Sequence, residues 1–464
     1  MGHGFQRSRR PVEATPTLPT EVAEHLDGRL RSGRSNRVDM GGCCVARLGV
    51  PNLRRLILVG MGVAFIGGCG GSAVATGGSS GSAAPTLVGS PTSVPFPKAS
   101  PGSTTCEPDI SGVDYNVETC QLESPSLAAN LLDEPGLLHF DVLTPADYKT
   151  SGVRYPTVYY LDGAGGDCSG FAQIVDYTSP TIDPVAGSIP PIIVCVSSGN
   201  VSGNDLLESW RLSLNVFGPW FYANSPVTGN MEDAITKDLI SYVDAHYRTI
   251  AAAASRAITG FSIGGAATVN IGLHHPEVFG VLYAMSPSDF EGDTASGLLD
   301  PQSIGMLLDL ADKLADVPPG ERAERLKAAF KESDIPPVMT FAYGATFAPD
   351  PNSPILMKLP FKRVNGVLVA DDSVLALWKA GWGNYPAKVS QYQSNLKQYR
   401  AIGVDHGTDE APIPESAHLF VTSLASIGIK ATENTFPGGH ADNLPDRFVN
   451  YMLPFVSEHL ADGS

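Results

Sequence analysis

One stretch constrains the fold of this chain more than any other: a G-x-S-x-G pentapeptide between a strand-like and a helix-like segment. It lies within Ser255–Pro276, SRAITGFSIGGAATVNIGLHHP, with Ser262 at its centre. Residues 257–259 are typical of a short buried strand, and residues 265–275 have the small and apolar spacing of a packed helix. This context predicts a nucleophile elbow, in which a strained turn lifts the serine Oγ clear of the sheet. The flanking glycines remove Cβ atoms that would collide as strand and helix approach.

Segments typical of strands and helices alternate along most of the chain after residue 136. Predicted strands lie at 137–143, 156–161, 190–196, 257–259, 279–285, 399–406 and 430–436. Predicted helices lie at 231–247, 265–275, 414–426 and 443–460. Strands that alternate with helices indicate an α/β fold, with a mostly parallel sheet and helices on both faces. A chain of 464 residues with 43% hydrophobic content is long enough to bury such a core.

Residues 292–397 interrupt this alternation. Within them, the pattern favours a helix at 301–332 and a strand at 337–344, and residues 352–392 carry aromatics and prolines without a clear period. We expect an insertion over the carboxyl-terminal edge of the sheet, where pockets of open α/β sheets form. Aromatic residues here and before the helix at 231–247 are candidates to line an acyl or aryl pocket, although core packing is favoured for most. They are Trp210, Phe217, Trp220, Phe221, Tyr222, Trp378 and Trp382.

Two partners are needed to activate a serine hydroxyl: a histidine that takes its proton and a carboxylate that orients the histidine. In α/β-hydrolases they follow the serine in the order acid, histidine, on loops after late strands. His440 lies in a glycine-rich loop directly after the strand at 430–436. Glu410 follows the strand at 399–406 and is the predicted acid. Asp409 beside it, and Asp405 at the strand end, are alternatives.

A tetrahedral intermediate also needs two backbone N–H groups aimed at its oxyanion. One is expected from Ile263, the residue after the nucleophile. The other is expected from Ala164, in the loop Asp162-Gly163-Ala164 that follows the strand at 156–161. These two residues are the predicted oxyanion hole.

Several blocks of the sequence together resemble the “Putative esterase” family of α/β-hydrolases, which includes esterase D-type S-formylglutathione hydrolases, feruloyl esterases and mycolyltransferases. The resemblance covers roughly residues 137–460. Its blocks are VYYLDGAGG (158–166), FYANSPVTGNMEDAITKDLISYVDAHYRT (221–249), SRAITGFSIGGAATVNIGLHHPEVFG (255–280), VDHGTDE (404–410) and FPGGH (436–440). Together they are far more specific than G-x-S-x-G alone.

The resemblance implies an α/β-hydrolase fold with Ser262 as nucleophile, His440 as base, Glu410 as acid, and Ala164 and Ile263 as oxyanion donors. It implies a serine hydrolase of carboxylic esters that works through an acyl-enzyme, and no cofactor is expected. The substrate would be a small-molecule, lipid or sugar ester. Acyl transfer to a sugar or lipid acceptor is the alternative within enzymes, and a catalytically idle envelope binding protein is the alternative outside them.

The sequence departs from the family pattern at two places. Asp162-Gly163 stands where the family often has His-Gly, although Asp-Gly is similar to the mycolyltransferase form. The acid of the family is more often Asp, so the Glu410 assignment leaves Asp409 open as the acid.

Residues 1–68 are predicted to be a leader rather than part of the fold. Three arginines precede the apolar run at 56–66, which is too short to cross a bilayer and is typical of a secretory signal. Ile66-Gly67-Gly68-Cys69 resembles a bacterial lipobox, in which Cys69 would become the lipidated first residue. Residues 1–39 are polar and arginine-rich, so translation is expected to begin at Met40. The chain is therefore predicted to be an exported, envelope-held lipoprotein.

Residues 69–103 shift to Gly, Ser, Ala, Thr and Pro, a composition typical of a flexible linker, and residues 104–464 form the predicted hydrolase domain. Net charge is −17 without a dominant basic patch, which argues against nucleic acid as a partner. Four cysteines remain in the domain and allow three pairings; the local pairs Cys106–Cys120 and Cys168–Cys195 are favoured. No C-x-x-C occurs and the histidines are scattered, so no metal site is expected. His274 and His275 are interpreted as capping or packing residues.

Overall fold

A computed structural model describes residues 103–109, 116–164, 166, 168, 189–198, 217–288, 298–332 and 337–462. The predicted leader, the start at Met40, the lipidation residue Cys69, the linker up to residue 102 and Trp210 lie outside these residues. Within the described ranges, none of the helices has both the length and the apolar character needed to cross a bilayer.

Nine strands of the described chain form one sheet. They are β1 Thr104–Asp109, β2 Asn116–Glu123, β3 Leu137–Thr144, β4 Thr157–Leu161, β5 Ile192–Val196, β6 Arg256–Phe261, β7 Val281–Met285, β8 Ala401–Gly407 and β9 Thr432–Phe436. Their order across the sheet is β1-β2-β3-β5-β4-β6-β7-β8-β9. Strands β4 to β9 are parallel to one another, and β1 to β3 extend the sheet in antiparallel pairs. This topology confirms the predicted α/β-hydrolase fold.

Helices cover both faces of the sheet, so every residue of β4, β5 and β7 is buried. Side chains of β4 alternate between two clusters: Tyr159 and Leu161 pack in one, Val158 and Tyr160 in the other. The helices are α1 Pro125–Ala128, α2 Met231–Asp233, α3 Ile240–His246, α4 Ile263–His274, α5 Pro301–Lys313, α6 Arg322–Glu332, α7 Val338–Phe347, α8 Asp372–Trp382, α9 Tyr385–Gln391, α10 Gln393–Leu396, α11 Ile413–Ser426, α12 Leu444–Arg447 and α13 Leu453–His459.

Shorter elements join some of these helices and strands. Two π-helical stretches, Ala234–Leu239 and Phe448–Met452, make α2 continuous with α3 and α12 continuous with α13. The predicted helices at 231–247 and 443–460 therefore exist, with wider turns inside them. Two 3₁₀ turns lie at Ala253–Ser255 and Pro319–Glu321. A short hairpin pairs Asn224–Ser225 with Gly229–Asn230.

The insertion differs from its prediction at three places. The predicted strand at 337–344 is wrong, because Val338–Phe347 is the helix α7. The predicted helix at 301–332 is two helices, α5 and α6, which are separated around Pro318-Pro319. Residues 352–392 contain a hairpin of Phe361–Val364 with Val367–Ala370, and then α8 and α9. The tip of this hairpin is Asn-Gly with positive φ at both residues, a sequence that is a known hairpin signal.

Both favoured disulfides are present. Cys106–Cys120 joins directly paired residues of β1 and β2, two strands that were not predicted from the sequence. Cys168–Cys195 joins the loop after β4 to β5. The second bond therefore ties the predicted oxyanion loop to the neighbouring strand.

The histidines at the end of α4 both hydrogen-bond one buried carboxylate. Glu232 Oε1 lies 2.8 Å from His274 Nδ1 and 2.8 Å from His275 Nε2, which ties α4 to α2. Burial opposes ionisation of Glu232, but the hydrogen bonds from the two histidines outweigh burial and lower its pKa to about 2. Burial likewise opposes protonation of His275, but its bonds to Glu232 and Glu277 raise its pKa. These contacts agree with the packing interpretation of both histidines.

The steric role of the elbow glycines is testable by substitution. A Cβ on Gly264 would collide with the carbonyl oxygen of Leu161 at the end of β4. Because this carbonyl belongs to the backbone of a buried strand and cannot rotate away, Gly264→Ala is expected to lower the free energy of unfolding by about 2–3 kcal/mol in denaturant titrations. Gly152→Ala, with no atom within 4 Å of the added methyl, is the control and should change it by less than about 0.5 kcal/mol. Equal effects would show that the elbow tolerates a side chain at Gly264.

The pKa shifts of Glu232 and His275 predict how the stability of the fold depends on pH. The lowered pKa of Glu232 stabilises the fold above its unfolded value of 4.5, and that gain is lost as pH falls toward 2. The raised pKa of His275 stabilises the fold below its unfolded value of 6.5, and that gain is lost as pH rises through the raised value. Glu232→Gln should therefore cost most between pH 4.5 and 6.5, on the order of 3 kcal/mol.

Denaturant titrations across pH measure this loss. Glu277 also contacts His275, but its side chain is 65% exposed, so Glu277→Gln should cost less than about 1 kcal/mol at every pH. A loss in Glu232→Gln that is the same at pH 5.5 and pH 9 would contradict the prediction.

Candidate active site

The predicted elbow has the geometry that its sequence indicated. Ser262 lies between β6 and α4 with φ 59° and ψ −119°, a left-handed conformation that is strained for a residue with a Cβ. Its N–H donates to the carbonyl of Met285 on β7 at 3.0 Å. A Cβ on Gly260 would lie 2.5 Å from the carbonyl oxygen of Gly264, so this turn requires glycine at its start. The strain is held by the surrounding backbone and leaves Oγ free of the sheet.

Ser262, His440 and Glu410 are joined in one line of hydrogen bonds. His440 Nε2 lies 2.8 Å from Ser262 Oγ, and His440 Nδ1 lies 2.8 Å from Glu410 Oε2. A carboxylate only accepts hydrogen bonds, so Nδ1 carries the proton and Nε2 is left to accept from the serine hydroxyl. This tautomer is the one in which the histidine can act as a base toward Ser262.

Of the three candidate carboxylates, Glu410 is the one that contacts His440. Glu410 is buried, whereas Asp409 is exposed and its carboxylate lies 3.3 Å from the Thr408 hydroxyl. Asp405 is fully buried and forms an ion pair with Arg447 at 2.6 Å. Burial raises the pKa of the Asp405 carboxyl, and the Arg447 guanidinium opposes that shift. The structure therefore brings neither alternative acid to His440.

The His440 imidazole is held from one side and open on another. The ring of Phe261 lies against it, with centroids 4.8 Å apart and an interplanar angle of 32°. Arg447 Nη1 donates to the His440 carbonyl at 3.0 Å and so fixes the loop. The side chain of His440 is still 33% exposed, which leaves an approach for a substrate.

The loop of residues 162–164 is fixed by hydrogen bonds on several sides. The carboxylate of Asp162 accepts from its neighbour Gly163 N–H at 2.8 Å and from Cys168 N–H at 3.1 Å. The carbonyl of Asp162 accepts from the Tyr222 hydroxyl at 2.9 Å, and the carbonyl of Gly163 accepts from the Ser198 hydroxyl at 2.6 Å. These carbonyls and the carboxylate are thus occupied by protein donors.

This loop lies directly beside the nucleophile. A Cβ built on Gly163 would be 3.7 Å from the Cβ of Ser262 and 3.3 Å from the ring of Phe261. The backbone of Ala164, next along the loop, therefore belongs to the same site as that of Ile263, which begins α4. Their role as oxyanion donors stays a prediction.

Three further polar residues lie at this site that the sequence did not predict. Ser288 Oγ lies 3.3 Å from Ser262 Oγ, and Ser288 N–H donates to the Ser262 carbonyl at 3.1 Å. Ser286 Oγ lies 2.8 Å from Glu410 Oε1, and Arg447 contacts both Ser286 and the His440 backbone. The position of the two serines near the site was predictable, because both follow β7 and the carboxyl ends of parallel strands lie at one edge of the sheet. Arg447, in a helix after the histidine, has no such position.

The candidate pocket aromatics that the structure describes are all buried in the core. Phe221, for example, packs edge to face on Trp382 and Tyr343, with centroids 4.6 and 5.2 Å apart. Core packing was the favoured interpretation, and burial confirms it for Phe217, Trp220, Phe221, Tyr222, Trp378 and Trp382.

One group in the described part of the chain has the spacing of metal ligands: Asp162, Cys168 and Cys195. Both cysteines are consumed in the disulfide, so their sulfurs are not available as thiolates. This group therefore does not fit a metal ion.

Comparison with known proteins gives two curated relatives that are named as esterases. Two curated proteins, Esterase Rv1288 and Esterase MT1326 of two Mycobacterium tuberculosis strains, are each 31% identical over 134 residues. The match covers 27% of this chain and 24% of each relative, so the chain spans about a quarter of their length.

Similar solved structures have low sequence identity. A ferulic acid esterase is 20% identical, with a TM-score of 0.46 over 75% of this chain and 100% of that chain. An S-formylglutathione hydrolase from Agrobacterium tumefaciens is 15% identical, with a TM-score of 0.44 over 76% and 99%. Mycobacterium tuberculosis MPT51 is 12% identical, with a TM-score of 0.41 over 73% and 96%.

The family match covers more of this chain than the match to the two curated relatives does. Residues 136–425 match the family described as “Putative esterase”, which is more than half of the chain and includes the elbow and Glu410. The chain therefore belongs to the “Putative esterase” family, whose sequence pattern it shares.

Proposed function

We propose that this chain is a serine hydrolase of carboxylic esters that works through an acyl-enzyme at the cell envelope. The observation that carries the proposal is the hydrogen-bonded line from Ser262 through His440 to Glu410, with the serine on a strained elbow. Membership of an esterase family supports the reaction class.

In the first half of the reaction, His440 Nε2 takes the proton of Ser262 as Oγ attacks the ester carbonyl. The N–H groups of Ile263 and Ala164 hold the oxyanion that forms. The tetrahedral intermediate collapses, the bond to the alcohol breaks, and His440 returns the proton to the leaving alkoxide. Glu410 balances the positive charge that the imidazole carries between these two transfers.

In the second half, water takes the place of the alcohol. His440 removes a proton from the water, whose oxygen attacks the acyl-enzyme carbonyl at the same oxyanion site. The bond to Ser262 Oγ breaks, the carboxylic acid leaves, and the proton returns to the serine.

The envelope location in this proposal rests on the N-terminal sequence and on the cysteines. The leader, its apolar run and Cys69 in lipobox context favour export with a lipid on Cys69, and residues 70–103 would tether the domain. Two disulfides in the domain support an oxidising compartment outside the cytoplasm.

A second candidate reaction is acyl transfer to a sugar or lipid hydroxyl in place of water. The observation in its favour is Asp162-Gly163, which resembles the mycolyltransferase form of this loop. Product analysis with and without such acceptors separates the two reactions, because a hydrolase releases only free acid under both conditions.

The mechanism is testable with p-nitrophenyl esters of short and long chain and the full-length protein. Ser262→Ala should lower kcat/KM by at least about 10³-fold, and Glu410→Gln by about 10²- to 10⁴-fold, because the triad acts as a unit. Asp409→Asn is the matched control, since that carboxylate is exposed and does not contact His440, and its activity should stay within about twofold.

A fluorophosphonate label reports the nucleophile independently of the substrate. Wild type and Asp409→Asn should take up the label, and Ser262→Ala should not. Normal ester turnover by Ser262→Ala would refute the mechanism. A folded wild type with neither turnover nor label would instead support an idle binding protein.

The location is tested by membrane fractionation. Wild type should partition with membranes, whereas Cys69→Ser should lose the lipid and appear in the soluble fraction, because the residues after Cys69 carry no other proposed anchor. Cys44→Ser, a cysteine upstream of the apolar run, is the control and should fractionate as wild type. Membrane association of Cys69→Ser equal to wild type would contradict the lipid anchor.

A further inference from the structure

A buried polar group behind His440 and Glu410 takes no part in the proposed reaction. It consists of Ser286, Asp405 and Arg447, and each of these residues is fully buried. They come from three separate parts of the chain: the end of β7, β8, and the end of α12. Burial of a charge is costly unless it is paired and hydrogen-bonded, so this arrangement calls for an explanation.

The chemistry of the groups fixes the direction of every hydrogen bond between them. A guanidinium only donates, so Arg447 Nη2 donates to Asp405 Oδ1 at 2.6 Å and to Ser286 Oγ at 2.6 Å. Ser286 therefore accepts from Arg447 and gives its own proton to Glu410 Oε1 at 2.8 Å. The other oxygen, Oε2, remains for His440. One ordered chain of bonds thus runs from Asp405 to the nucleophile.

We infer that Ser286 and Arg447 are positioning residues of the active site: together they hold Oε1 of Glu410 so that Oε2 faces His440. This inference rests on the proposed function, and it adds two residues that act on the site through the acid. Arg447 sets the rotation of the Ser286 hydroxyl, and this hydroxyl, together with the Gly407 amide on the same oxygen, sets the orientation of the carboxylate.

Arg447 also holds the base. Its Nη1 donates to the His440 carbonyl at 3.0 Å, and its guanidinium lies over the rings of Phe436 and Phe261, 4.3 and 5.4 Å from their centroids. The Phe261 ring in turn lies against the His440 imidazole. The Arg447 guanidinium therefore contacts both the serine that holds the acid and the backbone of the base. These contacts fix the position of Glu410 relative to His440.

The backbone of Ser286 gives independent support. Its φ is 40°, a left-handed conformation that favours glycine, and its N–H donates to the Asp405 carbonyl at 2.8 Å. Glycine would be the least strained residue at a buried position with this backbone conformation. A serine there supplies a side chain in spite of that strain. The hydroxyl on Glu410 is what that side chain provides.

Ser286→Gly separates a positioning role from a structural one. Glycine suits φ 40° and so offsets the cost of the hydrogen bonds lost with the hydroxyl, and the variant should fold with a Tm close to that of wild type. In the full chain, kcat for a p-nitrophenyl ester and the rate of fluorophosphonate labelling should both fall about 10- to 100-fold, with KM within about twofold. Asn365→Gly, at φ 50° on the exposed hairpin tip, is the matched control and should leave both rates unchanged.

A double-mutant cycle tests whether Ser286 acts through Glu410. If it does, Ser286→Gly should have no further effect on kcat in the Glu410→Gln background. Arg447→Lys keeps the charge beside Asp405 but not the fork of donors, and should lower kcat less than Ser286→Gly does while leaving KM within twofold.

The outcomes are distinct from those that test the proposed function. Wild-type kcat in Ser286→Gly, or losses that multiply in the double variant, would overturn the positioning role while the Ser262 and Glu410 results stand. Failure of the proposed function would appear instead as ester turnover that survives Ser262→Ala, whether or not Ser286→Gly changes kcat.

Discussion

The close contact between the end of β4, the end of β6 and the start of α4 is the constraint on which the rest of the site depends. Gly260 and Gly264 let these backbones meet where any side chain would collide, and the chain must then turn sharply at Ser262. The same contact brings the residue 162–164 loop beside the nucleophile. A single steric requirement therefore places the hydroxyl and the neighbouring backbone N–H groups together before any side-chain chemistry is considered.

Charge balance explains how so many ionisable groups share one buried edge of the sheet. Arg447 is compensated by Asp405, its ion-pair partner, so the pair adds little net field at Glu410. In the proposed reaction, Glu410 is then left to compensate the imidazolium of His440, which exists only during proton transfer. Were Arg447 without Asp405, it would already neutralise Glu410 and weaken the stabilisation of that imidazolium. The Arg447–Asp405 pair thus holds the site rigidly and leaves the negative charge of Glu410 available to the imidazolium.

The sequence allows much of this site to be predicted because its main residues follow strands. Ser262, Glu410 and His440 each come directly after a predicted strand of a parallel sheet, and such ends meet at one edge. Helix α7 was mistaken for a strand because it is apolar and buried on nearly every side, which removes the period that distinguishes the two structures. Strand β2 was missed because its three buried residues, Val117, Cys120 and Leu122, do not fall at every second position, so the strand lacks strict alternation.

Residues that position other side chains are harder to predict from the sequence than the candidate catalytic residues. Ser286 has a position after a strand but no motif, and Arg447 lies in a helix whose buried face gives no reason for a cation. Their contribution depends on tertiary contacts between β7, β8 and α12, which local sequence patterns do not encode. The same holds for the histidine pair on Glu232, where α2 supplies the carboxylate and α4 supplies the partners.

The length of the Glu410 side chain makes that support necessary. A glutamate has one more rotatable side-chain bond than an aspartate, and fixing the whole glutamate side chain costs up to about 2 kcal/mol of rotamer freedom. The extra length of Glu410 lets Oε1 reach back to the Gly407 N–H while Oε2 reaches His440. Two donors on Oε1, the Gly407 amide and the Ser286 hydroxyl, remove the freedom that the longer side chain adds. A glutamate at this position thus becomes as well placed as a shorter acid, because the fold restrains the oxygen that the histidine does not use.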